Sequence, residues 1–204
     1  STYGYTLVAA AIENVTGQPY MDALRTNVLE PLNMGKTAID HPRHLPGDRA
    51  TDYVGTFSKK AVLRAPATNS SYKWAGGGLV STPTDLVRLG NAILDTGFLN
   101  EVTRSAMFTA RSLPSGEKNP RQYGLGWTIG GLAVTDKKTG EEEIITLIHH
   151  GGTRAGSSAV LMIVPDHRIV VAMTSNAIGR GGSNALASIA AKVARAFINS
   201  ADRR

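Results

Sequence analysis

The sequence contains no cysteine among its 204 residues, which excludes disulfide bonds, thiol catalysis and cysteine-ligated metal sites. It also lacks any apolar run close to the roughly 18–20 residues that span a bilayer, so we expect no transmembrane segment. Neither a starting methionine nor a basic, signal-like segment opens the chain. We therefore expect Ser1 to be an internal point of a longer reading frame.

Runs of one charge are absent as well. The net charge is +6, from 22 Lys and Arg against 16 Asp and Glu, and no basic run is longer than two residues. Because nucleic-acid-binding proteins usually gather basic residues into a patch or stripe, this dispersed charge predicts no nucleic-acid partner. The hydrophobic fraction of 42% and the charged fraction of 19% are typical of a globular domain.

The first half of the chain is predicted to consist of helices and loops. The spacing of apolar residues predicts one helix over residues 4–16, ending at Gly17, and a second over about 20–30. The predicted buried face of the first helix consists of Val8, Ala11, Ile12 and Val15. Few apolar positions in residues 35–73 are periodic, which indicates a long loop with at most one short strand.

A strong helix start lies in residues 82–95, "TPTDLVRLGNAILD". Thr82 is the predicted N-cap, Pro83 takes the first helical position, and Asp85 lies near the positive end of the helix dipole. The predicted buried stripe of this helix consists of Leu86, Leu89 and Ile93.

From residue 122 the apolar period changes to that of β-strands. Four segments are predicted strands: "YGLGWTIGGL", "EEIITLIHH", "SSAVLMIVP" and "RIVVAMTSN". The third is almost continuously apolar, which predicts a central strand that is covered on both faces. A helix over about 183–199 is predicted to cover the sheet with Leu186, Ile189, Val193 and Phe197.

Helices followed by an antiparallel sheet with a covering helix indicate the α+β class. Residues 1–120 are the predicted helical and loop region, and residues 121–204 are the predicted sheet and terminal helix of the same domain.

The main candidate for a site is "IHHGGTRAGSS", residues 148–158. His149 and His150 can supply a proton or a positive charge near neutral pH, while Gly151 and Gly152 let another molecule approach the backbone. Half-exposed histidines before a Gly-Gly turn would give the same local pattern. A second candidate is Trp74, which brings an aromatic wall beside three glycines in "YKWAGGGL"; a flexible helix entry is the alternative there.

The other candidate motifs are weaker indications of a functional site. Two Ser-x-x-Lys matches, Ser70–Lys73 and Ser115–Lys118, do not share a helical face on which lysine could activate serine, so we interpret both as coincidental. His41 and His44 lie in a proline-bearing loop and are too few for a metal site; no metal is expected. Neither glycine run follows a strand and opens a helix, as phosphate-binding loops require.

Several segments follow one another along the chain in the order of a known family: "STYGYTLVAAAIENVTGQPYMDALRTNVLEPLNMGKT", "WAGGGLVSTPTDLVRLGNAIL", "YGLGW", "HHGGTRAGSSAVLMIVPDHRIVVAMTSN" and the final helix. In these segments the chain resembles the carboxy-terminal part of the serine β-lactamase-like, penicillin-binding-protein-like family. The family includes class C β-lactamases, D-Ala-D-Ala carboxypeptidases, family VIII esterases and a mitochondrial serine β-lactamase-like branch, to which "NSSYKWAGGGLVSTPTDL" is most similar. This resemblance implies a β-lactamase/transpeptidase-like fold and a serine hydrolase that needs no cofactor.

Three family motifs build such an active site: Ser-x-x-Lys, a Tyr-x-Asn-like motif, and Lys/His-Thr/Gly-Gly on a strand. His149, His150 and Gly151 match the third motif, with His149 in the place of the cationic residue. Thr2 matches the Asn position of the second motif. The catalytic tyrosine would precede Ser1, and the nucleophilic serine would lie further upstream.

The resemblance assigns a role to each matching residue. His149 is the expected catalytic donor, and the backbone N–H of Gly152 is an expected oxyanion donor. Thr2, Trp74, His150 and Gly151 are the expected substrate-binding residues.

The resemblance also bears on partners and location. The expected partners are a small-molecule or peptide acyl substrate and the missing upstream segment or a companion chain. Self-association is expected too, through uncovered strand edges around the apolar segment Ala159–Val164. A bacterial periplasmic or secreted location is favoured over the cytoplasm. The alternative function is that of a non-catalytic relative that serves as a binding or assembly subunit.

The 204-residue chain alone is expected to hydrolyse neither p-nitrophenyl esters nor nitrocefin, because in neither Ser-x-x-Lys match does the serine share a helical face with its lysine. Spectrophotometric assays of the purified chain test this expectation. Turnover above buffer that disappears in Ser70→Ala or Ser115→Ala would contradict it.

Overall fold

The computed structural model describes residues 1–41, 49–56, 61–135, 140–178 and 181–201. The helices are α1 (Thr2–Thr16), α2 (Tyr20–Leu24), α3 (Trp74–Gly77), α4 (Pro83–Leu94), α5 (Glu101–Phe108) and α6 (Gly182–Ala201). The strands are β1 (Ala38–Ile39), β2 (Tyr53–Thr56), β3 (Ala61–Arg64), β4 (Leu79–Val80), β5 (Thr128–Thr135), β6 (Glu142–Arg154), β7 (Ser157–Val164), β8 (Ile169–Ser175) and β9 (Ala177–Ile178). This combination of helices with antiparallel sheets confirms the predicted α+β class.

The chain divides into two compact units. The first comprises Ser1–Leu89, Arg154–Ser157 and Asn176–Ile178, and the second comprises Gly90–Thr153, Ser158–Ser175 and Gly179–Arg204. The predicted division at residue 120 stays a prediction.

Helix α1 of the first unit ends at Gly17 as predicted, but it begins at Thr2, two residues before the predicted start, and it lacks the predicted buried face. The Ser1 hydroxyl caps it by accepting a hydrogen bond from the Gly4 N–H at 3.1 Å, and Gly17 ends it in the left-handed conformation at φ 67°. No residue of α1 is buried, and Val15 is 86% exposed. The helix packs on α3 through a close backbone approach at Thr2, which needs no apolar stripe.

Residues 35–73 form more strands than the single short one expected. Strand β1 pairs with β4 beyond this region, and β2 pairs with β3 and, in parallel, with β9. The parallel partner of Tyr53 is Ala177, more than a hundred residues away. Local apolar periodicity could not reveal the pairings of β1 with β4 and of β2 with β9, because distant segments supply those hydrogen bonds.

A charge cluster stabilises the first unit. Arg154 pairs with Asp40 and, at 2.8 Å, with Asp52, while Arg49 lies 3.3 Å from Asp40 and 3.1 Å from Asp52. Asp40 is only 3% exposed. Two cations therefore compensate two carboxylates, and the cluster links residues that are distant in sequence.

The start of α4 also has the predicted cap, together with a buried carboxylate. Thr82 Oγ1 accepts a hydrogen bond from the Asp85 N–H at 3.2 Å. The Asp85 side chain is fully buried and accepts hydrogen bonds at 2.9 Å from the Lys36 N–H, the Thr37 hydroxyl and the Arg88 guanidinium. Asp85 thus joins α4 to the segment before β1.

The second unit contains a four-stranded sheet in the order β5-β6-β7-β8. Strand β7 lies in its interior, as predicted, and Val160, Met162, Ile163 and Val164 are each at most 1% exposed. The expectation that Ala159–Val164 would be the segment left uncovered is therefore wrong. Both neighbouring strands pair with it, and its side chains fill the core.

Helix α6 covers the sheet as predicted, but of the four residues predicted for its buried stripe only Leu186 packs against the main core cluster. Ala190, Ala194 and Ile198 are buried in the main core cluster, whereas Ile189 is 45% and Phe197 62% exposed. The buried alanines let the helix lie close to the sheet, so shape decides which face is covered. Periodicity indicated the correct helix but selected its larger apolar side chains instead of its closest-packing ones.

On the other face of the sheet, Gly90 in α4 makes a close approach. A Cβ atom at Gly90 would lie 2.5 Å from Val170 Cγ1, so no larger residue fits there without movement. Within the described ranges, no helix is both long enough and apolar enough to cross a membrane.

Replacing Asp85 with alanine is expected to lower the free energy of unfolding by about 2–4 kcal/mol, because three donors lose their buried acceptor. Asp95→Ala is the matched control, since Asp95 pairs with Arg168 at 2.7 Å but both side chains are more than half exposed. The control should cost at most about 1 kcal/mol. Urea denaturation of both variants measures the difference, and equal losses would contradict the assigned role of Asp85.

Candidate functional site

In the second unit, strand β6 carries the candidate motif His149-His150-Gly151-Gly152. The pairing of β5 with β6 ends at Thr128 and His149, so the residues after His149 run past the start of β5. His149 is half-buried and His150 is exposed, as expected for side chains that alternate across a strand.

The His149 imidazole combines partial burial with an unused polar atom. Burial lowers its pKa below the ordinary value of 6.5, and the neighbouring His150 lowers it further. Its Nδ1 atom is buried and has no hydrogen-bond partner among the described residues. A neutral imidazole in this position can donate or accept a proton near neutral pH. Proton exchange is therefore favoured as the role of His149 over that of a permanent positive charge.

His150 lies against an aromatic ring that the sequence analysis did not single out. The centroids of the Tyr123 and His150 rings are 5.9 Å apart, in an edge-on arrangement. Although His150 is exposed to solvent on one side, desolvation by the groups around the rest of its ring lowers its pKa as well. The segment "YGLGW" marks the family resemblance, but only the fold brings Tyr123 against His150.

Tyr123 is held by a tight turn. The Arg111 N–H donates to the Tyr123 carbonyl at 2.9 Å, and the Gly124 N–H donates to the Trp127 carbonyl at 2.8 Å. A Cβ atom at Gly124 would lie 2.2 Å from the Met107 carbonyl oxygen. Glycine is therefore required in this turn, and the turn fixes the aromatic ring beside the motif.

The two glycines of the motif have different surroundings. A Cβ atom at Gly151 would lie 2.8 Å from Ser183 Cβ, at the start of α6, whereas one at Gly152 would meet no atom of the described residues within 4 Å. Gly151 is thus required by packing against α6. The open space lies at Gly152, the expected oxyanion donor.

In the first unit, Thr2 and Trp74 lie on elements that pack together. A Cβ atom at Gly76 in α3 would lie 2.7 Å from the Thr2 carbonyl oxygen, and one at Gly78 would lie 2.8 Å from Trp74 Cα. The indole Nε1 of Trp74 is buried and lacks a hydrogen-bond partner among the described residues. The glycines of "WAGGGL" therefore allow close packing around the indole.

The remaining candidates are held by other contacts. Ser70 is 2% exposed and precedes a short 3-10 turn, while the Lys73 ammonium lies 5.7 Å from the Tyr72 ring centroid. Ser115 donates to Glu117 at 3.2 Å. His44 lies outside the described residues, and among the residues described no group of three metal-ligating side chains converges.

A cavity of about 730 Å³ lies in the first unit, away from these residues. Met21, Arg25, Leu29, Met34 and Ile39 line part of it. None of the candidate site residues is among the residues that line it, so the chemistry of the candidate motif gives it no role.

A strand that presents an imidazole followed by an open glycine is the arrangement expected of the third motif of serine β-lactamase-like enzymes. Residues 1–195 match the family model described as Beta-lactamase. The chain therefore belongs to the β-lactamase family of serine hydrolases.

Two curated relatives and one solved structure illustrate this similarity. The chain is 31% identical over 187 residues to "Serine beta-lactamase-like protein LACTB, mitochondrial" of Mus musculus, covering 81% of this chain and 32% of that protein. It is 26% identical to "Penicillin-binding protein 4*" of Bacillus subtilis, covering 86% of this chain and 39% of that protein. The solved structure of a D-stereospecific amidohydrolase from Streptomyces sp. superposes with a TM-score of 0.68 at 25% identity, covering 87% of this chain and 49% of that one.

The chain thus spans only 32% and 39% of the lengths of these two curated relatives. The family and the α+β fold of the predicted resemblance are confirmed. The roles of His149, His150, Gly151, Gly152, Thr2 and Trp74 stay predictions.

His149 is expected to titrate below its ordinary pKa of 6.5, because burial disfavours the charged imidazolium. In His150→Asn the pKa of His149 should rise, since a like charge is removed, but should stay below 6.5 because burial is the larger cause. NMR titration of the imidazole Cε1–H signals of both proteins measures this shift. An unchanged His149 pKa in the variant would contradict the coupling.

Proposed function

We propose that this chain supplies strand β6 to the active site of a serine hydrolase that acts through an acyl-enzyme. The observation that carries the proposal is the half-buried His149 with an unpartnered Nδ1, on the same strand as a Gly152 that has open space around its Cα. The nucleophilic serine and its lysine come from sequence upstream of Ser1.

In the proposed reaction the serine oxygen attacks a carbonyl carbon and forms a tetrahedral adduct. The serine proton passes to the upstream base and then to the leaving group as its bond breaks. Water later attacks the ester, which releases the acid and restores the serine. The Gly152 N–H stabilises the negative oxygen of each adduct, and His149 donates to the substrate or exchanges a proton with the base.

The proposed substrates are small esters, amides or peptides. The relatives support this range, since one is described as an amidohydrolase and another as a penicillin-binding protein. Thr2, Trp74, His150 and Gly151 are the proposed substrate-binding residues. The paired rings of Tyr123 and His150 offer an apolar surface to such a substrate.

In the full-length protein, His149→Ala is expected to lower kcat/KM by about 10–1000-fold, the range for one positioned donor or acid–base group. His150→Ala is the control on the adjacent position and should cost less, because its side chain alternates to the other face of the strand. Initial rates with p-nitrophenyl esters and amino-acid amides measure both effects.

Two results would overturn the proposed function. A larger loss for His150→Ala than for His149→Ala would show that the strand faces the opposite way. Absence of hydrolysis by the full-length protein, together with an upstream sequence that lacks Ser-x-x-Lys and a tyrosine before Ser1, would favour a non-catalytic binding or assembly subunit.

A further inference from the structure

The first turn of α6 is fastened to strand β6 next to the candidate motif. The Ser183 N–H donates to Thr153 Oγ1 at 2.8 Å. Gly182 has φ +50°, and a Cβ atom there would lie 2.6 Å from Thr153 Oγ1. On the other side of Gly152, the Cβ position of Gly151 is occupied by Ser183.

Thr153 acts as an N-cap of α6, a role that the residue preceding a helix usually takes. The first N–H groups of a helix have no partner within it and need an external acceptor. Here a strand residue supplies that acceptor across a sequence separation of 30 residues. The cap is therefore a tertiary contact, and it fixes the start of α6 against strand β6.

Gly152 lies between the two fastened residues. Gly151 contacts Ser183 through van der Waals packing, and Thr153 contacts it through the hydrogen bond. Because adjacent peptide planes share their Cα atoms, fixing residues 151 and 153 restricts the orientation of the Gly152 N–H. An oxyanion donor has to be placed before the reaction, and displacement by about 1 Å can cost 100-fold in rate.

We propose that Thr153 is a positioning residue, which orients the Gly152 N–H by capping α6. The inference rests on the proposed function, since it assigns Gly152 the role of oxyanion donor. Thr153 itself touches no reacting atom. It orients the Gly152 N–H through its contact with the first turn of α6.

The test uses three variants of the full-length protein. Thr153→Val removes the acceptor and keeps the shape, and Thr153→Ser restores the acceptor. Asn100→Ala is the matched control, because Asn100 caps α5 by accepting from the Thr103 N–H at 2.8 Å and has no part in the motif. Loss of either cap should lower the melting temperature by about 2–4 °C.

Thr153→Val is expected to lower kcat by roughly 10–100-fold while KM changes by less than about 2-fold, because the oxyanion forms only in the transition state. Thr153→Ser should recover most of kcat, and Asn100→Ala should leave it unchanged. An unchanged kcat in Thr153→Val, or an equal loss in Asn100→Ala, would overturn the proposal.

Amide hydrogen exchange on the same proteins provides a readout that does not depend on catalysis. Exchange in residues 150–155 should accelerate in Thr153→Val and not in Asn100→Ala. If the wild-type protein hydrolyses nothing, the proposed function fails, while this exchange still decides whether Thr153 orders the strand. Unchanged exchange would overturn the inference even if the enzyme is active.

Discussion

The close packing of α6 on the four-stranded sheet is the constraint on which the second unit depends. Small side chains make it possible: Ala190 and Ala194 face the core, and Gly151 leaves room for Ser183. Dispersion and apolar burial both weaken quickly when such surfaces separate. The same contact that fills the core therefore also determines where the candidate motif can lie.

The prediction of the fold succeeded where local patterns carry the information. Thr82 and Gly17 mark helix ends through their own caps, and the apolar run of β7 needs partners on both sides wherever they come from. Prediction failed where the structure of a segment depends on residues that are distant in the sequence. One edge of strand β2 pairs with β9, more than a hundred residues away, and the buried face of α6 follows from the shape of the sheet.

The candidate site shows the same division. His149 and Gly152 could be selected from the sequence because an imidazole beside glycines is chemically distinctive and matches a family motif. Tyr123 and Thr153 could not, since their importance arises from contacts with His150 and Ser183. Neither residue type is unusual in a strand or a turn. The burial of Asp85 could not be predicted from the sequence either, because only the folded chain brings Lys36 and Thr37 to it.

The unequal environments of Gly151 and Gly152 have a consequence for how such a motif can change. Neither glycine has a positive φ, so the backbone itself would accept an L-residue at both. A methyl group at Gly151 would collide with α6, yet at Gly152 it would enter empty space. Variation at the second position is thus sterically free, and a side chain there would reshape the surroundings of the N–H without disturbing the core. Gly152 is the point in this motif at which substrate preference could diverge while the fold stays intact.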